Sequence, residues 1–270
     1  MLRNQKIAVI GAGNMGLALL KGMIDSGAVP PNAITVRNKR AEKAQALAEK
    51  FGVLTAANNV EAVAGADIVL LAVKPQIFSH VLSELRGKLG DTLVISVAAG
   101  VSTERIEREL SGNPRVVRCM PNTPALIKQG ATAISPGAFT KAGDLELAQA
   151  ILGSVGRVVA VDEEHLDAVT GLSGSGPAYV FLIIEAFADA GVKVGLSREI
   201  ALELAVQTIQ GAARLLQETK EHPGKLKDQV TSPGGTAIAG LHTLEQGGLR
   251  TTIMNAVEAA TKRAKELGQG

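Results

Sequence analysis

Tryptophan is missing from this 270-residue chain, and with one Tyr and five Phe it has almost nothing to stack on nucleobases. Basic residues exceed acidic ones only slightly, 28 against 26, and the two are interleaved, so no stripe for a phosphate backbone forms. Nucleic acid is not an expected partner. The single Cys119 excludes an internal disulfide and fits a reducing compartment, making the cytoplasm the expected location. His80, His165, His222 and His242 lack metal-ligand spacing and Cys119 lacks companion ligands, so no metal site is expected; His165, in Glu163-Glu164-His165, reads as a solvated first turn. Long apolar runs are also scarce. Met1 to Lys6 is too short and polar for a signal peptide, and the most apolar stretch, Ala178 to Ile184, meets Glu185 and Asp189 well before the roughly 20 residues a membrane span needs. No membrane partner is expected.

What is present is a hydrophobic content of 46%, enough for a sizeable core, in a length that suits two domains of roughly 150 residues each. From Lys6 to about Val161, short β-branched runs alternate with amphipathic stretches, the pattern of parallel strands joined by crossover helices. Strands are expected at Lys6 to Ile10, Ile34 to Val36, Ile68 to Val73, Leu93 to Ala98, Arg115 to Met120, Ala131 to Ser135 and Arg157 to Val161. Several are apolar almost without alternation, as strands covered on both faces are. After Asp162 the strand signals stop. Helices are expected at Glu163 to Thr170, Pro177 to Gly191, Ser197 to Glu218, Gly235 to Gln246 and Leu249 to Leu267, with Ser197 as an N-cap and Gly191 and Gly247 marking ends. The fold class is thus α/β: a Rossmann-type doubly wound sheet over residues 1–162, then an all-helical domain over 163–270. The helix around Ala178 to Ala190 is apolar nearly all round, so burial against a second subunit is expected.

The loop Gly11-Ala12-Gly13-Asn14-Met15-Gly16 follows the first strand directly and opens an apolar helix, the context in which G-x-G-x-x-G binds a dinucleotide. Gly11 permits the turn, Gly13 lets backbone approach the pyrophosphate, Gly16 allows close packing, and the helix N-terminus offers N–H groups to phosphate. The second strand ends Val36-Arg37-Asn38-Lys39-Arg40, with no carboxylate for a ribose 2'-hydroxyl; its cations suit a 2'-phosphate, which favours NADPH while leaving NADH possible. Asn58, Ala72-Val73-Lys74-Pro75 and Ala98-Ala99-Gly100 complete the expected cofactor set, the strand ends lining the same crevice. In the helical half, Ser173-Gly174-Ser175-Gly176-Pro177 and Ser232-Pro233-Gly234-Gly235-Thr236 each read as a glycine-rich loop opening a helix, suited to a small carboxylate or to capping alone.

At these loops the sequence resembles the pyrroline-5-carboxylate reductases, over nearly its whole length. The resemblance is carried by the glycine loop, by Ala72-Val73-Lys74-Pro75, Met120-Pro121-Asn122-Thr123-Pro124 and Gly171 to Tyr179, and above all by Pro223 to Thr236 continuing through Leu244-Glu245. It implies reduction of 1-pyrroline-5-carboxylate to L-proline by NAD(P)H, the last step of proline biosynthesis, in a homodimer built through the helical domain and possibly a homodecamer. It also implies substrate binding by Ser175, Gly176, Pro177, Ser232, Gly234, Gly235, Thr236 and Ala237. The family's signature has threonine where this chain has Ala237, and that threonine is proposed to hydrogen-bond the imine nitrogen. Here either Thr236 makes the contact and is the catalytic residue, or backbone and water do. Two other readings stay open: a β-hydroxyacid dehydrogenase with Lys193 or Lys220 as its lysine, and a non-catalytic NADPH-binding sensor.

Overall fold

The computed structural model describes residues 2–268. Eight strands, β1 (Ile7–Ile10), β2 (Ile34–Arg37), β3 (Leu54–Thr55), β4 (Ile68–Leu71), β5 (Leu93–Ser96), β6 (Arg115–Met120), β7 (Gly130–Pro136) and β8 (Gly156–Ala160), form one sheet in the order β3-β2-β1-β4-β5-β6-β7-β8. Helices α1 (Asn14–Asp25), α2 (Ala41–Phe51), α3 (Asn59–Val63), α4 (Phe78–Leu85), α5 (Thr103–Leu110) and α6 (Asp144–Leu152) connect them. Alternate residues of β1 face opposite cores. Ile7 and Val9 join Leu19 and Leu20 of α1 and Ile151 of α6, whereas Ala8 and Ile10 join Phe78 and Leu82 of α4 and Ile106 of α5. Both faces are covered, which is why these strands read as unbroken apolar runs.

Every neighbouring pair of strands is parallel except β6 and β7, which are antiparallel, so β7 and β8 run opposite to the other six. The chain between β6 and β7, residues 121–129, contains only the 3-10 turn Thr123–Ile127 and is too short for the crossover of a dozen or more residues that a parallel pair requires. The two-residue edge strand β3 carried no pattern long enough to read.

Packing divides the chain at Ser175 rather than at the expected Asp162: one unit comprises the residues up to Ser175 together with those from Ala259 onward, and the other is Gly176–Glu258. The reason lies in contacts of the first helical segment with the sheet. Arg118 of β6, largely buried, pairs with Glu163 at 3.0 Å and lies 3.8 Å from Asp167, while Glu163 also accepts from the backbone N–H and hydroxyl of Thr103. Asn122, also buried, donates from Nδ2 to the Ser173 carbonyl at 3.0 Å and accepts from the Ala131 N–H at 2.8 Å.

The short α7 (Leu166–Val169) belongs to the first unit; the second is made of α8 (Gly176–Lys193), α9 (Arg198–Thr219), α10 (Pro223–Gln229), α11 (Thr236–Gln246) and the first part of α12 (Leu249–Gly268). Ser197 caps α9, its hydroxyl accepting from Ile200 N–H. Gly191 does not end its helix. It lies inside α8 where a Cβ would stand 2.7 Å from the Cβ of Ala201, so glycine serves the close α8–α9 approach. Helix α10 is not among the expected helices; Pro223 opens it and the His222 ring nitrogen accepts from Gly224 N–H at 3.1 Å. Large apolar side chains of this unit stay open to solvent, with Phe181 at 65% and Leu182 at 66% exposure.

Candidate active site

The C-terminal ends of β1, β2 and β4 open onto a cleft of about 570 Å³. Of the expected cofactor residues it brings together Gly11, Ala12, Gly13, Arg37, Asn38, Lys39, Asn58, Ala72, Val73 and Lys74. Gly11 adopts φ +96°, where a side chain would be strained, and a Cβ there would meet the Ala72 carbonyl oxygen at 2.7 Å. A Cβ on Gly16 would overlap the Gly11 carbonyl oxygen, so helix α1 can sit this close to the loop only with glycine. Gly13, in contrast, faces open space. It caps α1 without any side-chain bond, and among the described residues the N–H groups of Asn14, Met15 and Gly16 make no backbone hydrogen bond. Three donors at the positive end of a twelve-residue helix thus face the loop, an arrangement that fits a pyrophosphate.

The basic turn fits a further phosphate. Arg37 ends β2, its carbonyl accepting from Gly11 N–H at 2.8 Å, and its Nε is buried with no hydrogen-bond partner. A buried donor without a partner is costly in the bare protein and suits an anionic acceptor supplied by a ligand. Asn38 Oδ1 accepts from Arg40 N–H at 3.1 Å, which folds the turn so that Lys39, Arg40 and Lys43 line the same wall. Asn58 caps α3, accepting from Glu61 N–H at 2.8 Å. Asn58 also lines the cleft.

Asn14, Met15 and Gly16 form the first turn of α1 and are not among the residues lining the cleft, and Pro75 opens a 3-10 turn after Lys74. Ala98, Ala99 and Gly100 do not line this cleft: Ala98 is buried, and Gly100, at φ +73°, faces the backbone of Leu267 and Gly268. Sequence reasoning missed Asn59, Ile77, His80, Val81 and Glu84 on the wall. The spacing of the last four in and beside α4 looks like an ordinary helix face.

The two glycine-rich segments of the helical half differ from expectation in one case. Ser173 to Pro177 is not a loop with an open helix N-terminus, because the helix is continuous over Glu163–Lys193 through a π turn at Thr170–Gly174. Ser175 N–H donates to the Thr170 carbonyl at 2.8 Å, and the Ser173 carbonyl, which Pro177 has no N–H to serve, takes its proton from Asn122. Gly176 and Pro177 therefore lie within α8, and Ser175 is the bend that joins it to the π turn. The second segment is as expected. Gly234 adopts φ +68°, Gly235 caps α11 without a side-chain bond, and the N–H groups of Thr236, Ala237 and Ile238 make no backbone hydrogen bond among the described residues. A Cβ on Gly235 would collide with Ser232 Oγ. Thr236 is the first residue of α11, exposed, with no hydrogen bond of its hydroxyl among the described residues. Lys193 ends α8, and Lys220 is the left-handed C-cap of α9 at φ +55°, so the lysines of the dehydrogenase reading stand at helix ends. Buried Cys119 has its thiol pushed far up by desolvation and offers no nucleophile.

Residues 163–267 match the family profile for pyrroline-5-carboxylate reductase dimerisation, and residues 6–100 match that for NADP oxidoreductase, coenzyme F420-dependent. The chain is 48% identical to a pyrroline-5-carboxylate reductase of Methanosarcina acetivorans, covering 99% of this chain and 100% of that one. It is 46% identical to that of Arabidopsis thaliana, covering 98% and 96%. The chain belongs to the pyrroline-5-carboxylate reductase family. Among solved structures it is similar to a pyrroline-5-carboxylate reductase from Coxiella burnetii, with a TM-score of 0.94, 42% identity and coverage of 98% and 99%. A Plasmodium falciparum pyrroline carboxylate reductase solved with NADP bound gives a TM-score of 0.86 at 32% identity, covering 99% and 100%. The dimerisation profile begins at Glu163, at the expected boundary, although packing assigns residues 163–175 to the sheet-bearing unit.

Proposed function

We propose that this reductase transfers hydride from NADPH to 1-pyrroline-5-carboxylate to give L-proline, and that the cleft and the α11 loop are its two binding sites. The full-length identity to reductases from a plant and an archaeon carries the reaction. The buried, unpartnered Arg37 Nε supports the phosphorylated cofactor. NADPH, when bound, supplies the hydride that adds to the imine carbon. The chain's own part begins with the pyrophosphate on the N–H groups of Asn14 to Gly16 and the 2'-phosphate on Arg37, Asn38 and Lys39. Ala72, Val73, Lys74 and Pro75 hold the ribose against backbone.

The substrate carboxylate is held by the N–H groups of Thr236 and Ala237 at the start of α11, with Ser232, Gly234 and Gly235 shaping the loop. Ser175, Gly176 and Pro177 contribute as helix surface rather than as an anion loop. A protonated cyclic imine is already electrophilic, so the site needs orientation and charge placement more than a strong acid. The Thr236 hydroxyl, without a partner of its own, is the donor and acceptor available to the ring nitrogen as the C=N electron pair moves onto it.

The helical unit forms a homodimer. The run Glu163–Lys193 is long and apolar enough to cross a membrane by length and composition, because the π turn joins segments that the sequence reads as separate. We assign its exposed apolar face to a second copy, as a match to a dimerisation profile supports. A decamer of such dimers and a cytoplasmic location remain parts of this proposal. NADPH oxidation followed with 1-pyrroline-5-carboxylate, then with small 2-keto and 3-oxo acids, tests the reaction: turnover with the imine supports it. Turnover with oxo acids alone would return the dehydrogenase reading, and cofactor binding without turnover the sensor.

A further inference from the structure

The cleft carries one group that phosphate and ribose contacts leave without a task. Its wall bears Arg37, Lys39, Arg40, Lys43 and Lys74, and among its described lining residues Glu84 is the one carboxylate. A negative charge on the wall of a site for a polyanion opposes binding unless it faces a neutral, donor-bearing part of the ligand. Glu84 is also held in place. Asn59 Nδ2 donates to Oε2 at 2.6 Å, and His80 Nε2 stands 3.2 Å from Oε1. A carboxylate offers about four lone-pair positions, so each oxygen retains one after these contacts. Ile77 and Val81 line the same wall, spaced four residues apart, as do His80 and Glu84, so an apolar strip runs beside the acceptor. Apolar surface flanked by a fixed acceptor is what the face and amino edge of a purine ring require.

We propose that Glu84 accepts a hydrogen bond from the exocyclic amino group of the cofactor's adenine, selecting an amino-purine over an oxo-purine, and that Asn59 and His80 are its positioning residues. The inference rests on the cleft being the dinucleotide site. The experiment compares the dissociation constants of NADPH and of its hypoxanthine counterpart, in which a carbonyl replaces the amino group, from the change in nicotinamide fluorescence on binding. The wild-type protein binds NADPH about tenfold more tightly, since the carboxylate gains a charge-assisted bond from the amino group and repels the carbonyl. Glu84→Gln, whose amide can donate or accept, brings the ratio to within about threefold. Asn59→Ala narrows the ratio while NADPH still binds. Equal binding of the two cofactors by the wild-type protein overturns the inference. So does a Glu84→Gln variant that weakens both with the ratio unchanged, which would reduce Glu84 to a fastener between α3 and α4. If the wild-type protein binds neither, the dinucleotide reading of the cleft fails with it.

Discussion

Replacing Arg37 with alanine should weaken cofactor binding while leaving stability nearly unchanged. In the ligand-free protein the Arg37 Nε is buried without a partner, and such a group costs about 1–3 kcal/mol. Alanine removes that cost along with the packing of the aliphatic stem, so the two changes offset and the melting temperature stays within a few degrees of wild type. Binding behaves otherwise. A hydrogen bond to a charged partner contributes about 1.5–3 kcal/mol, and Lys39 and Arg40, both exposed, replace little of it through screened solvent. The dissociation constant for NADPH should therefore rise about 10- to 100-fold. NADH has no 2'-phosphate, and its affinity should change less than about threefold. Titration calorimetry with both cofactors, together with a thermal melt of the bare protein, reads all three quantities. Equal weakening of NADPH and NADH, or an NADPH constant within about threefold of wild type, refutes the assignment of Arg37 to the 2'-phosphate.

Asn122→Ala leaves the Ser173 carbonyl and the Ala131 N–H without partners in a buried position, and should cost about 2–5 kcal/mol by denaturant titration at fixed protein concentration; a loss below about 0.5 kcal/mol would show the π turn held by other means. Thr236→Ala should lower kcat/KM for the imine tenfold or more, on the order of 1.4 kcal/mol, and an unchanged value removes Thr236 from the mechanism. Desolvation, partly countered by the Ala138 N–H and reinforced by Glu163, raises the Glu107 carboxyl above its ordinary value. The folded state then holds the proton more tightly than the unfolded one, so stability falls as pH rises through that window and the penalty is complete above it. Glu107→Gln, retaining an acceptor for Ala138, should be more stable than wild type at neutral pH and lose that advantage below about pH 4; the same difference at both pH values would contradict this. Phe181→Asp places a charge on the exposed face of α8, and light scattering should then find monomer in detergent-free buffer, where wild type is at least dimeric; an unchanged mass would put the interface elsewhere.

The sheet-bearing half was legible because its signals are local. Burial on both faces makes β1 and β4 unbroken apolar runs, and β5 one up to Ser96, and Gly11, Gly13 and Gly16 stand where the turn, the open cradle and the close helix each require them. Strand direction is not local. The apolar pattern of β7 is the same whichever way it runs, and the short connection after β6, not the strand itself, decides it. Ser173 to Pro177 misled for a related reason. Glycine, serine and proline usually break a helix, but here Asn122, distant in sequence, takes over the carbonyl that Pro177 cannot serve. The Glu84 group escaped notice since His80 and Glu84, four apart, look like a solvated ion pair until the fold turns them toward the cleft.

In the proposed reaction a hydride passes from NADPH to the imine carbon. Incubation of the purified protein with 1-pyrroline-5-carboxylate and NADPH stereospecifically deuterated at the nicotinamide C4, each epimer in turn, followed by mass spectrometry of the product, tests it directly. Proline carrying one deuterium from one epimer and none from the other is the predicted result. Unlabelled proline from both, or no proline while the cofactor stays bound, would contradict it.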